Sequence, residues 1–429
     1  MKKKRFSILT FLKDKLNNKK GSTTIFVLLI LSSIITLTVM MVNISKDKAQ
    51  QGCERAALSL SSRSVLSEYH SSLKEKYGIF GLNMTPSEIS KKMDFYIRKN
   101  TGKKAKNISI FTGNKRLTDI SNFENEIVSY AKFAFVDHVI DKVEEDKEEN
   151  KEEGEGEFEG EGDEEDENGR IGNRVLRNEK IINSLPTHNK NLSDVSSSDV
   201  ADAMGDIDSL FDKGKKTVLA NIYILNLFNN EVDDNGDTFF KHEVEYIIAG
   251  KLSDEKNYKS VKRKIVLARN IINLAVIYKS PKLKAEVVSM AALTGLGVEF
   301  AIPLIAEAWA LLESNNDMAI LENGGKIPVV KNDETWATDI ESILSNEEDS
   351  YIDNDCETGM NYEDYLHVLL YFTDKETKYL RAMDLMQINI QGQDDEEFYI
   401  NTVVTGFGYD IKLDGGRYRY DESYWKTTR

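Results

Sequence analysis

Residues 19–42 read Lys19-Lys20-Gly21 followed by STTIFVLLILSSIITLTVMMV, and no charged side chain occurs from Ser22 to Val42. At 1.5 Å of rise per residue such a run makes a helix about 30 Å long, the thickness of a bilayer's hydrocarbon core. Its serines and threonines can bond back to helix carbonyls, so they are tolerated in lipid. Orientation follows from the flanks. Lys2, Lys3, Lys4, Arg5, Lys13, Lys15, Lys19 and Lys20 precede the run, whereas only Lys46 and Lys48, with Asp47 between them, closely follow it. The positive-inside rule places the leading side in the cytoplasm and Asn43 onward outside. A cleavable secretory signal would have a shorter apolar core and small residues at a cleavage site. Val42-Asn43-Ile44-Ser45 does not fit that pattern.

The chain has 429 residues and a net charge of −16, and that charge is local. Asp141 to Asn168 holds 17 acidic and 3 basic residues, and the first 20 residues hold 8 basic and 1 acidic. The remainder is mildly acidic and has no clustered basic face, which argues against a nucleic-acid partner. Two cysteines, Cys53 and Cys356, are too few for a disulfide framework or a cysteine zinc site. Cys53 falls on the apolar side of a helical pattern, and both are expected as buried thiols.

Beyond the bilayer the helical spacing continues through Ala49, Cys53, Ala56, Leu60, Leu66, Tyr69, Leu73 and Tyr77. It predicts one helix reaching Lys76, stopped by Gly78. Strands are expected near Ile79 and at Asn107–Phe111, and a helix from Phe123 to Ile140. The acidic run, with EEGEGEFEGEGDEEDENG at its centre, cannot bury enough apolar surface to offset chain entropy. It reads as a solvated spacer, extending to about Ser196. Ser198 is the expected cap of a helix through Phe211. Val218–Phe228 is strongly apolar, and Tyr258–Ala275 marks a long amphipathic helix. Val287–Leu312 contains Gly295, Gly297, Glu299, Pro303 and Glu307, which point to a broken helix pair rather than a second span. Asn361–Phe372 reads as a helix, and Thr373 to Glu376 as a capping box opening the next. Met386–Gln391 and Tyr399–Leu413 alternate apolar and polar residues, the signature of a small antiparallel sheet.

No G-x-S-x-G, H-E-x-x-H or Walker loop is present, and the reading assigns no catalytic, cofactor or metal residues. Gly324-Gly325-Lys326 reads as a turn. His70, His138, His188, His242 and His367 are scattered. His242 with Glu243 and Glu245 is the nearest approach to a ligand cluster. On an extended segment Glu243 would face away from the other two, leaving a solvated face. Glu231, Asp233, Asn235 and Gly236 imitate the start of a calcium loop, but its twelfth position would be His242 instead of Glu, which favours a connecting turn.

Lys19 to Phe26 resembles the leader of type IV pilin-like proteins, in particular TadE/TadG-like proteins of tight-adherence pili. The resemblance implies a prepilin peptidase cut between Gly21 and Ser22. Phe26 stands where pilin-like chains usually carry Glu. Several blocks also resemble an uncharacterised family of Gram-positive membrane proteins associated with such pili: Gly21 to Phe26, Ser67-Glu68-Tyr69, Lys76 to Phe80, Glu243 to Lys251, Ala308-Trp309-Ala310, Gly324 to Pro328 and Tyr362 to Leu366. That resemblance implies an exported envelope protein and brings no catalytic residues.

The expected fold class is α+β: a long N-terminal membrane-anchored helix continuing into a mostly helical exported domain with a small antiparallel sheet. Expected segments are a basic cytoplasmic leader (1–21), a transmembrane helix (22–43), an extracytoplasmic helix with strands (44–140), an acidic disordered insertion (141–196) and an α+β extracytoplasmic domain (197–429). The expected role is that of a non-enzymatic, single-pass, pilin-like accessory protein of a tight-adherence-type pilus or secretion assembly. Its partners would be the lipid bilayer, pilus or secretion-assembly proteins and a prepilin peptidase, with no cofactor. The alternative is a membrane-tethered surface binding or scaffold module.

Overall fold

A computed structural model describes residues 19–134, 179–196, 214–233, 238–294, 297–344, 352, 354, 356 and 358–424. The expected helix 198–211, the whole acidic run 141–168, the end of the helix expected to reach Ile140 and His138 lie outside the described residues. The fold is α+β, mostly helical, with small antiparallel sheets. The chain forms two compact units. Unit 1 comprises residues up to 67, 86–111 and 408–422; unit 2 comprises 68–85, 112–407 and the residues from 423.

Unit 1 is built on helix α1 (Lys19–Leu66), 48 residues long. From Thr23 to Ala49 every residue is exposed, and the hydroxyls of Ser32, Thr36 and Thr38 bond back to carbonyls three or four residues earlier. Exposure then becomes one-sided: Glu54, Leu58, Ser61, Ser62 and Val65 are buried at helical spacing. Helix α3 (Pro86–Thr101) packs on this face with Ile89, Met93 and Ile97, one residue per turn. Pro86 opens it at a position that has no backbone donor to lose. Strands β2 (Lys106–Phe111), β4 (Gly406–Leu413) and β5 (Gly416–Ser423) form a sheet in the order β2-β4-β5. β2 and β4 pair antiparallel, with Ile110 opposite Tyr409 and Phe111 opposite Gly408, and a bulge interrupts the register between Lys106 and Ser109.

Unit 2 contains α2 (Ser71–Tyr77), β1 (Leu82–Asn83), α4 (Ile120–Ala134), α5 (Glu179–Ser184), α6 (Lys215–Leu227), α7 (Glu243–Ala249), α8 (Asp254–Lys279), α9 (Pro281–Leu293), α10 (Val298–Glu322), α11 (Tyr362–Phe372), α12 (Lys375–Gln393) and β3 (Val403–Val404). β1 pairs antiparallel with β3. The seven residues of α7 are all buried, and α8, α11 and α12 pack around them. Gly250 caps α7 with φ +65°, and a Cβ there would lie 2.5 Å from the Arg381 guanidinium, so the position requires glycine.

Several expectations change. The helix expected to reach Lys76 ends at Leu66; His70 then caps α2, accepting from the Leu73 amide, and Gly78 ends it with φ +66°. Met386–Gln391 is helix, the last part of α12, whose residues from Thr377 to Gln391 are all buried. A helix buried on every side shows no amphipathic period, so its polar residues imitate strand alternation. The capping box belongs to α11, between Asn361 and Asp364, while Asp374 caps α12 by accepting from Thr377. Cys53 is exposed and Cys356 partly so, and neither forms a disulfide. The apolar face of α1 at this height is the one carrying Glu54 and Leu58. Glu179–Ser196, assigned from sequence to the unstructured insertion, is packed into unit 2, with Ile181, Leu185 and Val195 buried. Val287–Leu312 is the broken pair α9/α10, with Gly297 at φ +89° before α10. Among the described residues one helix, Thr23–Leu66, is long and apolar enough to cross a membrane.

Candidate functional site

Gly21 and Ser22 lie in the first turn of α1. The one-sided burial that begins at Glu54 is anchored by that residue. Its carboxylate accepts the Tyr418 hydroxyl at 2.9 Å and the Gly415 amide at 3.0 and 3.1 Å. A Cβ at Gly415 would sit 2.6 Å from the Glu54 carboxylate, so glycine permits this approach. The end of the apolar helix is thereby tied to the β4–β5 turn.

In unit 2 the polar side chains concentrate in two buried networks. The first surrounds α7. His242, expected on an extended and solvated segment, instead precedes this helix and is buried, as are Glu243 and Glu245. His242 Nε2 lies 2.5 Å from Glu231 and Nδ1 3.1 Å from Asp254, and its ring stacks on Tyr258. Burial opposes a charge on this imidazole, but the bonds to Asp254 and Glu231 override it and raise its pKa to about 9. Glu245 Oε1 accepts the Tyr362 hydroxyl at 2.7 Å and the Glu231 amide at 3.1 Å; Oε2 has no partner among the described residues. Burial pushes this carboxyl up to about 7, against the pull of Tyr362 and His242. Glu243 accepts from the Asn229 amide and from Asn389, whose side chain also reaches Tyr77. Arg381 donates to the carbonyls of Ile247 and Ile248, satisfying the far end of the helix. The calcium-like residues Glu231 and Asp233 are described, whereas Asn235 and Gly236 lie outside the described residues. Glu231 is committed to His242 and Lys241. Among the described residues no group of three His, Cys, Asp or Glu has the geometry to hold a metal ion.

The second network joins α8 and α10. Arg269 Nε donates to Asp317 at 2.9 Å, and Nη1 donates to the carbonyls of Pro328 and Val329 at 3.1 and 2.7 Å. Asn273 bridges Ser314 and Asp317. Lys331 pairs with Asp317 at 2.5 Å and also with Glu313, which in turn accepts the Ala337 and Thr338 amides. Trp309 Nε1 donates to Thr338. Two cations and two anions are thus enclosed together and balance. The neighbouring cations hold the Asp317 carboxyl below its usual range despite its burial. The effect is to fasten the irregular segment Pro328–Thr338 onto the helices. Beside it opens a cleft of about 510 Å³ lined by Val276, Lys279, Ser280, Lys331, Asp333 and Glu334, among others.

Sequence reasoning singled out His242, Glu243 and Glu245 but gave them the wrong backbone. It missed Glu54, Arg269 and Asp317, because a lone charge inside a helical pattern resembles its solvated neighbours, and it missed Lys331, a lone charge on an irregular segment. The signal that was present is positional: Glu54 and Arg269 occupy the apolar stripe of their helices.

The blocks Glu243–Lys251, Ala308–Ala310, Gly324–Pro328 and Tyr362–Leu366 supply Glu243, Glu245, Trp309, Pro328, Tyr362 and Tyr365 to these two networks, Tyr365 through its hydroxyl on Arg269. A family model described as a family of unknown function, DUF5702, matches residues 142–415, which contain all four blocks. No curated protein and no solved structure matches the chain. The match covers well over half of the sequence, and the chain belongs to this family of unknown function.

Proposed function

We propose that this protein is a membrane-anchored, extracytoplasmic, pilin-like accessory component of a tight-adherence-type pilus or secretion assembly, with a structural rather than a catalytic role. One observation carries the reading. A single helix is wholly exposed and apolar along its first half and becomes part of a folded core along its second. A helix of this kind transmits the position of a bilayer to the unit built on it. The lysine-rich flank supports an outside location for the units, and the Lys19 to Phe26 pattern supports processing between Gly21 and Ser22. Intact-mass analysis of protein from native membranes tests the pilin-like reading. A mature chain beginning at Ser22 is expected; one that retains Met1 contradicts it.

The cleft of about 510 Å³ beside Lys331 favours a second reading, a membrane-tethered binding or scaffold module. On that reading the protein made without residues 1–45 stays folded and captures a ligand, and substitutions lining the cleft abolish capture.

A further inference from the structure

Residues Glu179–Ser196 cross the surface of unit 2 as a strap. Apart from the six residues of α5 the strap has no regular secondary structure. Its apolar side chains Ile181, Ile182 and Leu185 lie against Phe239, Phe240, Tyr246, Leu252 and Ile388. The gap between the two surfaces, about 10 Å³, has room for no more than one water. Polar fastenings flank this seam. Gln387 donates to the Ser184 hydroxyl at 2.8 Å, Lys190 pairs with Glu376 at 2.7 Å, and Lys264 reaches both Asp194 and the Val195 carbonyl.

The deepest fastening is Asp384 on α12, which is fully buried. It accepts the Thr187 amide at 3.2 Å, the Thr187 hydroxyl at 2.6 Å and the Tyr246 hydroxyl at 2.9 Å. Two of these three donors belong to the strap. The groups facing Asp384 are therefore Thr187 from the strap, Tyr246 from α7 and Arg381 from its own helix. Arg381 in turn feels Asp194 of the strap, which Lys264 of α8 holds.

We propose that Glu179–Ser196 is a reversible strap, latched over the Phe239–Phe240–Tyr246 groove by Asp384 and loosened as the medium becomes alkaline. The anchorage is local: one dry apolar seam and a few polar contacts, with little backbone hydrogen bonding to the rest of the unit. Such segments open at lower free energy than helices buried on every side. The sign of the pH response follows from what the strap covers. With the strap down, Asp384 is shut from water, and burial raises its pKa to about 7 against the pull of the Thr187 and Tyr246 bonds and of Arg381. With the strap lifted, solvent reaches the carboxyl and its pKa returns toward the ordinary value. Closing the strap therefore takes up a proton, so acid favours the closed form and alkali the open one. Opening bares an apolar groove with a carboxylate at its base.

Hydrogen exchange of the full-length protein in detergent micelles, corrected for intrinsic rates, tests this. The amides of Leu185, His188 and Lys190 should be less protected than those of α8, and their protection should fall about tenfold between pH 6 and pH 8. In Asp384→Asn that pH dependence should vanish. Should Asp384→Asn leave the strap open throughout, the slope is read on Thr187→Val. This variant keeps the carboxyl and loses a bond that holds its pKa down, so it should show weaker protection with a pH dependence at least as steep. The proposal is overturned if strap and α8 amides exchange at one common free energy. It is equally overturned if the pH dependence survives in Asp384→Asn, or is lost in Thr187→Val.

Discussion

The Tyr418 hydroxyl donates to the Glu54 carboxylate at 2.9 Å, joining residues 364 positions apart within unit 1. This bond lies where α1 stops being exposed on all sides and starts to form a core. Glu54 also holds the Gly415 amide of the β4–β5 turn, so one carboxylate fixes a hairpin to the helix that carries the apolar run. Truncating it would leave a part-buried N–H and a buried hydroxyl without this acceptor. Glu54→Ala should destabilise unit 1 by about 1–3 kcal/mol, and Tyr418→Phe by about 1 kcal/mol. Hydrogen exchange of residues 408–422 measures both. Unchanged protection in Glu54→Ala would contradict this role.

Arg269 is the more sensitive position in unit 2. Replacing it with Leu would leave Asp317 buried with Lys331 as its remaining cation, and would free the carbonyls of Pro328 and Val329. A loss of about 3–5 kcal/mol is expected in urea unfolding. Arg269→Lys keeps the charge but loses the fork that reaches two carbonyls at once, so it should restore part of that stability and not all of it.

The stability of unit 2 should fall between pH 5 and pH 9. Glu245 has a folded pKa of about 7, above its usual 4.5, because burial disfavours the charged form. The folded state thus holds a proton that the unfolded state releases, and stability is lost as pH rises from 4.5 to 7. His242 acts in the same direction. Burial opposes its charge, but Asp254 and Glu231 raise its pKa from 6.5 to about 9. Its stabilising charge is fully present below 6.5 and lost as pH rises through 9. Asp254, held low mainly by His242 against burial, gives the opposite slope below its usual range. A thermal melt should therefore peak on the mildly acidic side, with Tm several degrees lower at pH 9. Glu245→Gln should flatten the decline between pH 4.5 and 7. A profile that rises toward pH 9 would refute the assignment.

The exposure of Cys53 on α1 can be read chemically. A membrane-impermeant maleimide should label it on the outer face of intact cells faster than it labels Cys356, whose Sγ donates to the Thr358 carbonyl. Equal labelling of Cys53→Ser and the wild type would show that Cys53 is shielded.

The reliability of the sequence reading followed the physical strength of each signal. The uncharged run from Ser22 to Val42 is long and unbroken, so the helix it specifies was legible. The period-3.6 pattern of α8, the glycine break before α10 and the strand segments of β2 and β4 were legible as local patterns, whereas the pairing of β2 with β4 came from the structure. Two of the errors lie where burial is complete. α7 is buried on every side, so Glu243 and Glu245 gave no facing pattern to distinguish a helix from a strand. Met386–Gln391 misled in the same way. The strap was hidden by its composition: Ile181, Leu185 and Val195 are isolated among polar residues, and their burial depends on a groove that distant segments supply. The Asp317–Lys331 pair is tertiary throughout, since nothing local distinguishes those two charges from solvated ones.

Protease accessibility of the chain in intact protoplasts tests the central claim most directly, because orientation in the membrane underlies the proposed envelope role. Protease added outside should digest the residues beyond Asn43 and leave the bilayer-embedded stretch Ser22–Val42 protected. If everything beyond Asn43 resists until the membrane is lysed, the bulk of the chain lies inside and the account fails.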